Sequence, residues 1–201
     1  MIEIEKKFLL TPQQQESLLK GSVESGVKLV TDSYLDTSDF SLTKNDLWFR
    51  ERDGVFELKM PLKSGSGVAT NRYHELTDEA AIARELGLGE VAHLNEALSE
   101  AGIKKFMTCY TQRTSYEKQG FHIDVDTVTY RDSSFAYAVA EIELLVETEE
   151  EADAAEARII TFAKQFDLII DQVVLGKVAA FLKADDPRHY NALVAAGILS
   201  A

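Results

Sequence analysis

The chain has 201 residues, of which 45% are hydrophobic, and its formal net charge is −13. A chain of this length and composition can bury a sizeable core in one or at most two domains. The acidic balance argues against nucleic acid and anionic membranes as partners, because both surfaces repel a negatively charged protein.

The chain also lacks the signals of export or membrane insertion. No run approaches about 18 uninterrupted apolar residues, and no charged-then-apolar leader opens the sequence, which predicts neither a membrane span nor a signal peptide. The lone Cys109 excludes an internal disulfide and suits a reducing cytoplasm. We therefore expect a cytoplasmic protein. We also predict a monomer or a weak homodimer.

Charged residues alternate with apolar ones at the start of the chain. On a strand, Glu3, Glu5 and Lys7 point to one face, while Ile2 and Ile4 point to the other. Two neighbouring carboxylates are hard oxygen ligands for Mg²⁺ or Mn²⁺, and a lysine on the same face can pair with a phosphate bound to that metal. The alternative is an edge strand whose charged face is solvated.

Helices are predicted by caps and by the proline and glycine positions. Thr11 and Pro12 open a helix that continues to about Lys20. The Gly-x-Gly within 63–67 lacks the helix and lysine of a phosphate loop, so this stretch is predicted to be a hairpin loop. The other helices are predicted at Asp39–Thr43 (one turn), Asp78–Leu86, Glu90–Ala101, Glu147–Gln165, Lys177–Lys183 and, after Pro187, Arg188–Ala196.

The alternation seen in the first strand recurs along the chain, with both signs of charge on the polar faces. About six strands of this kind suggest a barrel whose polar face looks inward and whose apolar face is covered by helices. The paired polar positions are Arg50 with Arg52, Glu57 with Lys59, Tyr73 with Glu75, Asp124 with Asp126, and Glu141 with Glu143, and Arg113 lies in another such run.

These motifs resemble those of a known superfamily. The segment 3–7, Glu-Ile-Glu-Lys-Lys, is similar to the ExExK signature of the CYTH superfamily, the triphosphate tunnel metalloenzymes, and the later motifs follow in the family's order across nearly the whole chain. Among its subgroups, the Tyr-x-Asp-Thr segment at 34–37 and Trp48 before Arg50 most resemble thiamine triphosphatase. The resemblance implies an α+β fold, a closed antiparallel β-barrel of about eight strands flanked by helices, formed by residues 1–201 as a single tunnel domain.

The same resemblance implies metal-dependent hydrolysis of thiamine triphosphate or inorganic triphosphate, with Mg²⁺ or Mn²⁺ as cofactor. A triphosphate carries about four negative charges, which cations must neutralise during transfer. The expected metal ligands are Glu3, Glu5, Asp124, Glu141 and Glu143; the expected substrate-binding residues are Lys7, Arg50, Arg52, Arg113, Trp48 and Glu75; and the expected catalytic residues are Lys59, Lys177 and Glu5.

The sequence also allows other functions. A class IV adenylyl cyclase would use the same tunnel but form cyclic AMP from ATP, and a non-catalytic module would bind a triphosphate or polyphosphate without hydrolysis. The charged residues could instead form an internal salt-bridge network that only holds the barrel together.

Individual side chains also have alternative roles. Glu57 and Asp126 could hold metal, or they could orient neighbouring arginines. Trp48 is either a core residue or a platform that stacks on a cationic ring such as thiazolium. The four histidines lack the spacing of metal ligands, and Cys109 is expected to be a packed side chain.

Overall fold

The computed structural model describes residues 2–62 and 71–199, and the hairpin loop predicted within 63–67 lies outside them. Eight antiparallel strands close into a barrel in the order β1-β5-β4-β3-β2-β6-β7-β8, so the predicted fold class is confirmed. The strands are β1 Ile2–Phe8, β2 Val23–Asp36, β3 Trp48–Arg52, β4 Val55–Pro61, β5 Asn71–Leu76, β6 Lys104–Lys118, β7 Phe121–Tyr130 and β8 Ala136–Val146.

Six α-helices flank the barrel in the described part of the chain. They are α1 Pro12–Leu19, α2 Glu79–Glu85, α3 Leu94–Glu100, α4 Ala152–Lys164, α5 Lys177–Asp185 and α6 Pro187–Ala195. Helix α1 begins as predicted, because the Thr11 side chain accepts the Gln14 N–H and Gln14 caps the Thr11 backbone in return. Pro187 marks the start of α6, where its missing N–H costs nothing.

Three predicted helices differ from the observed ones. The turn predicted at Asp39–Thr43 is wrong: a 3₁₀ helix forms at Thr43–Asn45, because the Asp36 carboxylate accepts the backbone N–H groups of Leu42 and Thr43 at 2.9 and 3.0 Å. The helix predicted from Glu90 begins only at Leu94, because His93 is extended. The helix predicted from Glu147 is split, with a 3₁₀ turn at Glu149–Glu151 before α4.

Apolar outer faces of the strands pack against the helices. Ile2 and Ile4 lie in one core cluster with Ile159 and Phe162 of α4. A second cluster joins the outer face of β3 and β4 to α2 and α3. Burial of these faces fixes the register, because a slip of one residue would turn the charged side chains outward.

Helices α5 and α6 pack on the barrel through a third cluster. Val178 and Leu182 of α5 join Leu193 of α6 against Met107 of β6 and Tyr130 of β7. This docking brings the first residue of α5, Lys177, to the barrel interior. Within residues 2–62 and 71–199, no helix combines the length and apolar composition that a bilayer crossing requires.

Candidate active site

The polar faces of the strands enclose a cavity of about 380 Å³ in the barrel interior. Strand register places Glu5 opposite Glu143 and Lys7 opposite Glu141, so carboxylates and ammonium groups alternate along the same wall. The charged side chains on the cavity wall are Glu5, Lys7, Asp46, Arg50, Lys59, Arg72, Arg113, Glu141 and Lys177. The interior is therefore a polar site inside an apolar shell.

Three carboxylates converge near the cavity. One oxygen each from Glu3, Glu5 and Glu143 lies within 4.8 Å of the others. Burial, together with the neighbouring Glu3, Asp124 and Glu141 carboxylates, raises the pKa of Glu143 to about 9. An all-oxygen donor set that crowds negative charge in this way fits a hard divalent cation such as Mg²⁺ or Mn²⁺.

A second convergent group shares one of these carboxylates. His122, Asp124 and Glu143 also bring one ligand atom each within 4.8 Å of one another. His122 Nε2 lies 3.1 Å from Asp124 Oδ1, while Nδ1 lies 2.5 Å from Glu117. No histidine was predicted to bind metal, although His122 and Asp124 lie two residues apart on one face of β7, a spacing that places their side chains together.

The lysines of the wall are held by the same carboxylates. Lys7 contacts Glu5 and lies 3.5 Å from Glu141, and Lys59 contacts Glu3. Burial would lower the pKa of Lys7, but the two adjacent carboxylates raise it above its ordinary value. Burial likewise raises the pKa of Glu5, yet Lys7 and Lys59 lower it overall. Both groups are therefore ionised at neutral pH.

Arg113 connects three carboxylates. Its Nε and Nη2 donate to the two oxygens of Asp126 at 2.7 and 2.6 Å, Nη2 also donates to Glu141 at 2.9 Å, and Nη1 contacts Asp124. Asp126 thus orients the Arg113 guanidinium. This is the alternative to metal binding that was considered for Asp126. A planar donor fixed in this way loses little freedom when it binds a phosphate.

Arg50 and Arg52 donate hydrogen bonds to different acids. The Arg50 Nε donates to Glu57 at 2.6 Å and its Nη2 to Glu75 at 3.2 Å. Arg52 forms two hydrogen bonds with Asp32, at 2.7 and 3.1 Å, and is absent from the cavity wall. The phosphate-binding role predicted for Arg52 stays a prediction.

Asp32 was missed in the sequence analysis. It is fully buried, and it contacts Lys177 as well as Arg52. The Lys177 ammonium also donates to Thr111 Oγ1 at 3.3 Å. Asp32 therefore joins β2, β3 and α5, and the only sequence signal was its position two residues before Tyr34 on the same strand face.

One end of the cavity is aromatic. Trp48, at the start of β3, lies on the wall with Tyr73 and with the apolar residues 173–175, 198 and 199. Trp48 lines the cavity and also packs against the third core cluster, so the platform role stays a prediction. Both rings hydrogen-bond the Asp46 carboxylate, which the sequence analysis also missed.

Comparison with known proteins agrees with this architecture. Two curated relatives are the thiamine-triphosphatases of Homo sapiens and Macaca fascicularis, each 30% identical over 96% of this chain and 90% of its own length. The solved PH1012 protein of Pyrococcus horikoshii OT3 aligns with a TM-score of 0.59 and 17% identity, covering 86% of this chain and 94% of that chain.

A second solved structure is that of a proposed adenylyl cyclase from Hippeastrum with a dominant triphosphatase activity. It aligns with a TM-score of 0.54 and 18% identity over 90% of this chain and 96% of that chain. At these identities, both solved structures support the fold alone. The CYTH domain model matches residues 1–172, which confirms the resemblance drawn from the motifs, and the chain belongs to the CYTH domain family.

Proposed function

We propose that this protein hydrolyses a triphosphate, thiamine triphosphate or inorganic triphosphate, to a diphosphate and phosphate inside the barrel. The observation that carries the proposal is the juxtaposition of five of the six wall cations with three converging carboxylates, of which Glu5 lies on the cavity wall; the cations are Lys7, Arg50, Lys59, Arg113 and Lys177. The thiamine-triphosphatase relatives support this chemistry. We further propose that residues 1–201 act as one domain in the cytoplasm, as a monomer or weak homodimer.

The proposed cofactor is Mg²⁺ or Mn²⁺, held by Glu3, Glu5 and Glu143, with Asp124 and Glu141 beside them. A divalent cation held there supplies Lewis-acid stabilisation of the charge on phosphate oxygens. Lys7 and Lys59 now pair with Glu5 and Glu3. Phosphate oxygens would offer these ammonium groups new partners, so that the carboxylates become available to the cation.

The arginines supply preoriented donors for the phosphate chain. Arg50 and Arg113 are fixed by Glu57 and Asp126, and each presents a planar guanidinium to the cavity. Lys59 and Lys177, the two lysines expected to be catalytic, would neutralise charge on the departing diphosphate or assist the attacking water. Catalysis of this kind depends on positioning and electrostatics more than on covalent chemistry.

The reaction is tested directly with purified protein and Mg²⁺. We expect phosphate release from thiamine triphosphate or inorganic triphosphate, loss of activity in excess chelator, and recovery when Mg²⁺ is restored. The two substrates and ATP should be compared side by side with product identification. Cyclic AMP as the main product would move the protein to the cyclase class, and tight metal-independent binding without turnover would make it a binding module.

Metal affinity is expected to depend on pH through Glu143. Because its pKa is raised to about 9, Glu143 holds a proton at neutral pH that a cation must displace. The Mg²⁺ association constant should therefore rise between about pH 6 and pH 9, by at most about tenfold per pH unit, and level off above that range. Titration calorimetry in buffers of different ionisation enthalpy would measure both the affinity and the proton released.

The matched control is Glu143→Gln, which cannot take up or release this proton. Its Mg²⁺ affinity should be weaker and should change less over the same pH range. A pH dependence equally steep in wild type and variant would show that Glu143 does not control cation binding.

A further inference from the structure

The carboxylate of Asp46 lies on the cavity wall at the aromatic end. Asp46 ends the 3₁₀ turn before β3 with a left-handed backbone, φ 59° and ψ 26°. A non-glycine residue seldom adopts this conformation, although aspartate tolerates it better than most. The backbone is held there by the hydrogen bond from the Asp46 N–H to the Thr43 carbonyl at 3.0 Å.

Two aromatic side chains orient this carboxylate. Trp48 Nε1 donates to Asp46 Oδ1 at 2.7 Å, and the Tyr73 hydroxyl donates to the same oxygen at 3.0 Å. Within residues 2–62 and 71–199, the structure gives Oδ2 neither a hydrogen bond nor an ion pair. One oxygen is therefore fixed, and the other is left for a ligand.

Asp46 differs from the other acids on the cavity wall. Glu5 pairs with Lys7, and Glu141 pairs with Arg113. Arg72, which also lies on the wall, is occupied by Glu156 and by Asp153 at 2.8 Å. In the described ranges, no lysine or arginine nitrogen lies within 4.0 Å of Asp46, so its negative charge has no protein counter-ion.

Asp46 lies just before the first inward-facing side chain of β3. Along β3 the inward-facing order is Trp48, then Arg50, and Asp46 precedes both. Val173 and Leu175 also line the cavity. Asp46 thus lies beside Trp48 and Tyr73, and the nearest wall cation in the strand register is Lys59, opposite Trp48.

We propose that Asp46 is the counter-ion for a positively charged organic end of the substrate, so that the site selects triphosphate esters of cationic alcohols. The thiazolium ring of thiamine triphosphate has this chemistry: its charge would lie against Asp46 while its triphosphate reaches the cations. This inference rests on the proposed function and narrows its substrate class. In this proposal, Asp46 is the residue that makes the protein prefer such substrates over triphosphates whose organic end is neutral or missing.

The first experiment compares substrates in Asp46→Asn. Asparagine keeps an oxygen that can accept from Trp48 and Tyr73, and it tolerates the left-handed backbone. The ratio of kcat/KM for thiamine triphosphate to kcat/KM for inorganic triphosphate should fall by about fivefold to thirtyfold, the worth of one charge-assisted contact. ATP, whose adenine is neutral, should lose no more than inorganic triphosphate does.

The control is Asp53→Asn. Asp53 also has a left-handed backbone, with φ 48°, but it lies in the β3–β4 turn, where its carboxylate accepts the Thr31 N–H at 2.9 Å. This variant should keep the wild-type substrate ratio. An Asp46→Asn ratio equal to that of wild type, with all substrates equally affected, would overturn the proposal and leave Asp46 a packing residue.

The second experiment isolates the charge by binding alone. Wild type should bind thiamine diphosphate more tightly than its neutral isostere, in which carbon replaces the thiazolium nitrogen, and Asp46→Asn should lose most of this preference. Calorimetry reports this even if no triphosphate is hydrolysed, so failure of the proposed function is distinguishable from failure of this inference. Equal affinity of wild type for the two ligands would refute the inference.

Discussion

Replacing Glu5 with glutamine is expected to lower kcat by at least about tenfold and to raise the Mg²⁺ concentration needed for half-maximal activity. Glu5 is buried, ionised and close to Glu3 and Glu143, so the substitution removes one negative charge from the proposed cation site with almost no change in volume. Steady-state rates with thiamine triphosphate or inorganic triphosphate, measured over a series of Mg²⁺ concentrations, would give both quantities.

Glu51→Gln provides the matched control for this experiment. Glu51 also lies on a strand and pairs with a lysine, Lys105, at 2.7 Å, but it faces away from the cavity. Its substitution should change kcat by less than about twofold, because exposed ion pairs contribute little. An unaltered rate and an unaltered Mg²⁺ titration in Glu5→Gln would show that Glu5 holds no cation.

Replacing Arg113 with methionine is expected to lower the free energy of unfolding by about 3–5 kcal/mol. The guanidinium contacts Asp124, Asp126 and Glu141, and the first two are almost completely buried. Without Arg113, Asp124 and Asp126 lose the arginine that pairs with them, whereas Glu141 keeps Lys7 at 3.5 Å, so the cost of ionisation falls mainly on the two aspartates. Urea unfolding at neutral pH, in the presence of a chelator, would measure the loss.

The instability of Arg113→Met should depend on pH. Protonation of the carboxylates that have lost Arg113 relieves their repulsion. The difference in free energy of unfolding between the variant and wild type should therefore shrink as the pH falls toward about 4. Lys28→Met is the control, because Lys28 lies opposite Arg113 in the β2–β6 register but is exposed. A loss in Arg113→Met no larger than that in Lys28→Met would mean that the acids are satisfied by other groups.

Alternation in the sequence was sufficient to predict the strand faces. In β1 the odd positions carry charge and the even positions 2 and 4 are apolar, and burial of Ile2 and Ile4 against α4 forces Glu3, Glu5 and Lys7 inward. Six such patterns indicated a barrel with a polar interior. The family motifs then indicated which chemistry that interior performs.

Residues outside the alternating motifs could not be found in the same way. Asp46 precedes β3 in a turn, and it reaches the cavity only through a left-handed backbone that no local pattern predicts. Asp32 lies on a strand, but its partners Arg52 and Lys177 come from β3 and α5, far away along the chain. The places of such residues depend on tertiary contacts. The alternation of polar and apolar residues along one sequence gives no information about those contacts.

The closing strand pair of the barrel has a consequence for how the chain is synthesised. Strand β1 pairs with β5 on one side and with β8 on the other, and β8 ends at Val146. The ribosome therefore releases β1 before the other strands, yet its hydrogen bonds are completed last, after a delay of about 7–28 s at elongation rates of about 5–20 residues per second. During this wait, charges at alternate positions disfavour pairing with another nascent chain, as charges on edge strands generally do. We therefore expect Glu3 and Glu5, which are proposed to hold the cation, also to disfavour aggregation of the unfinished barrel.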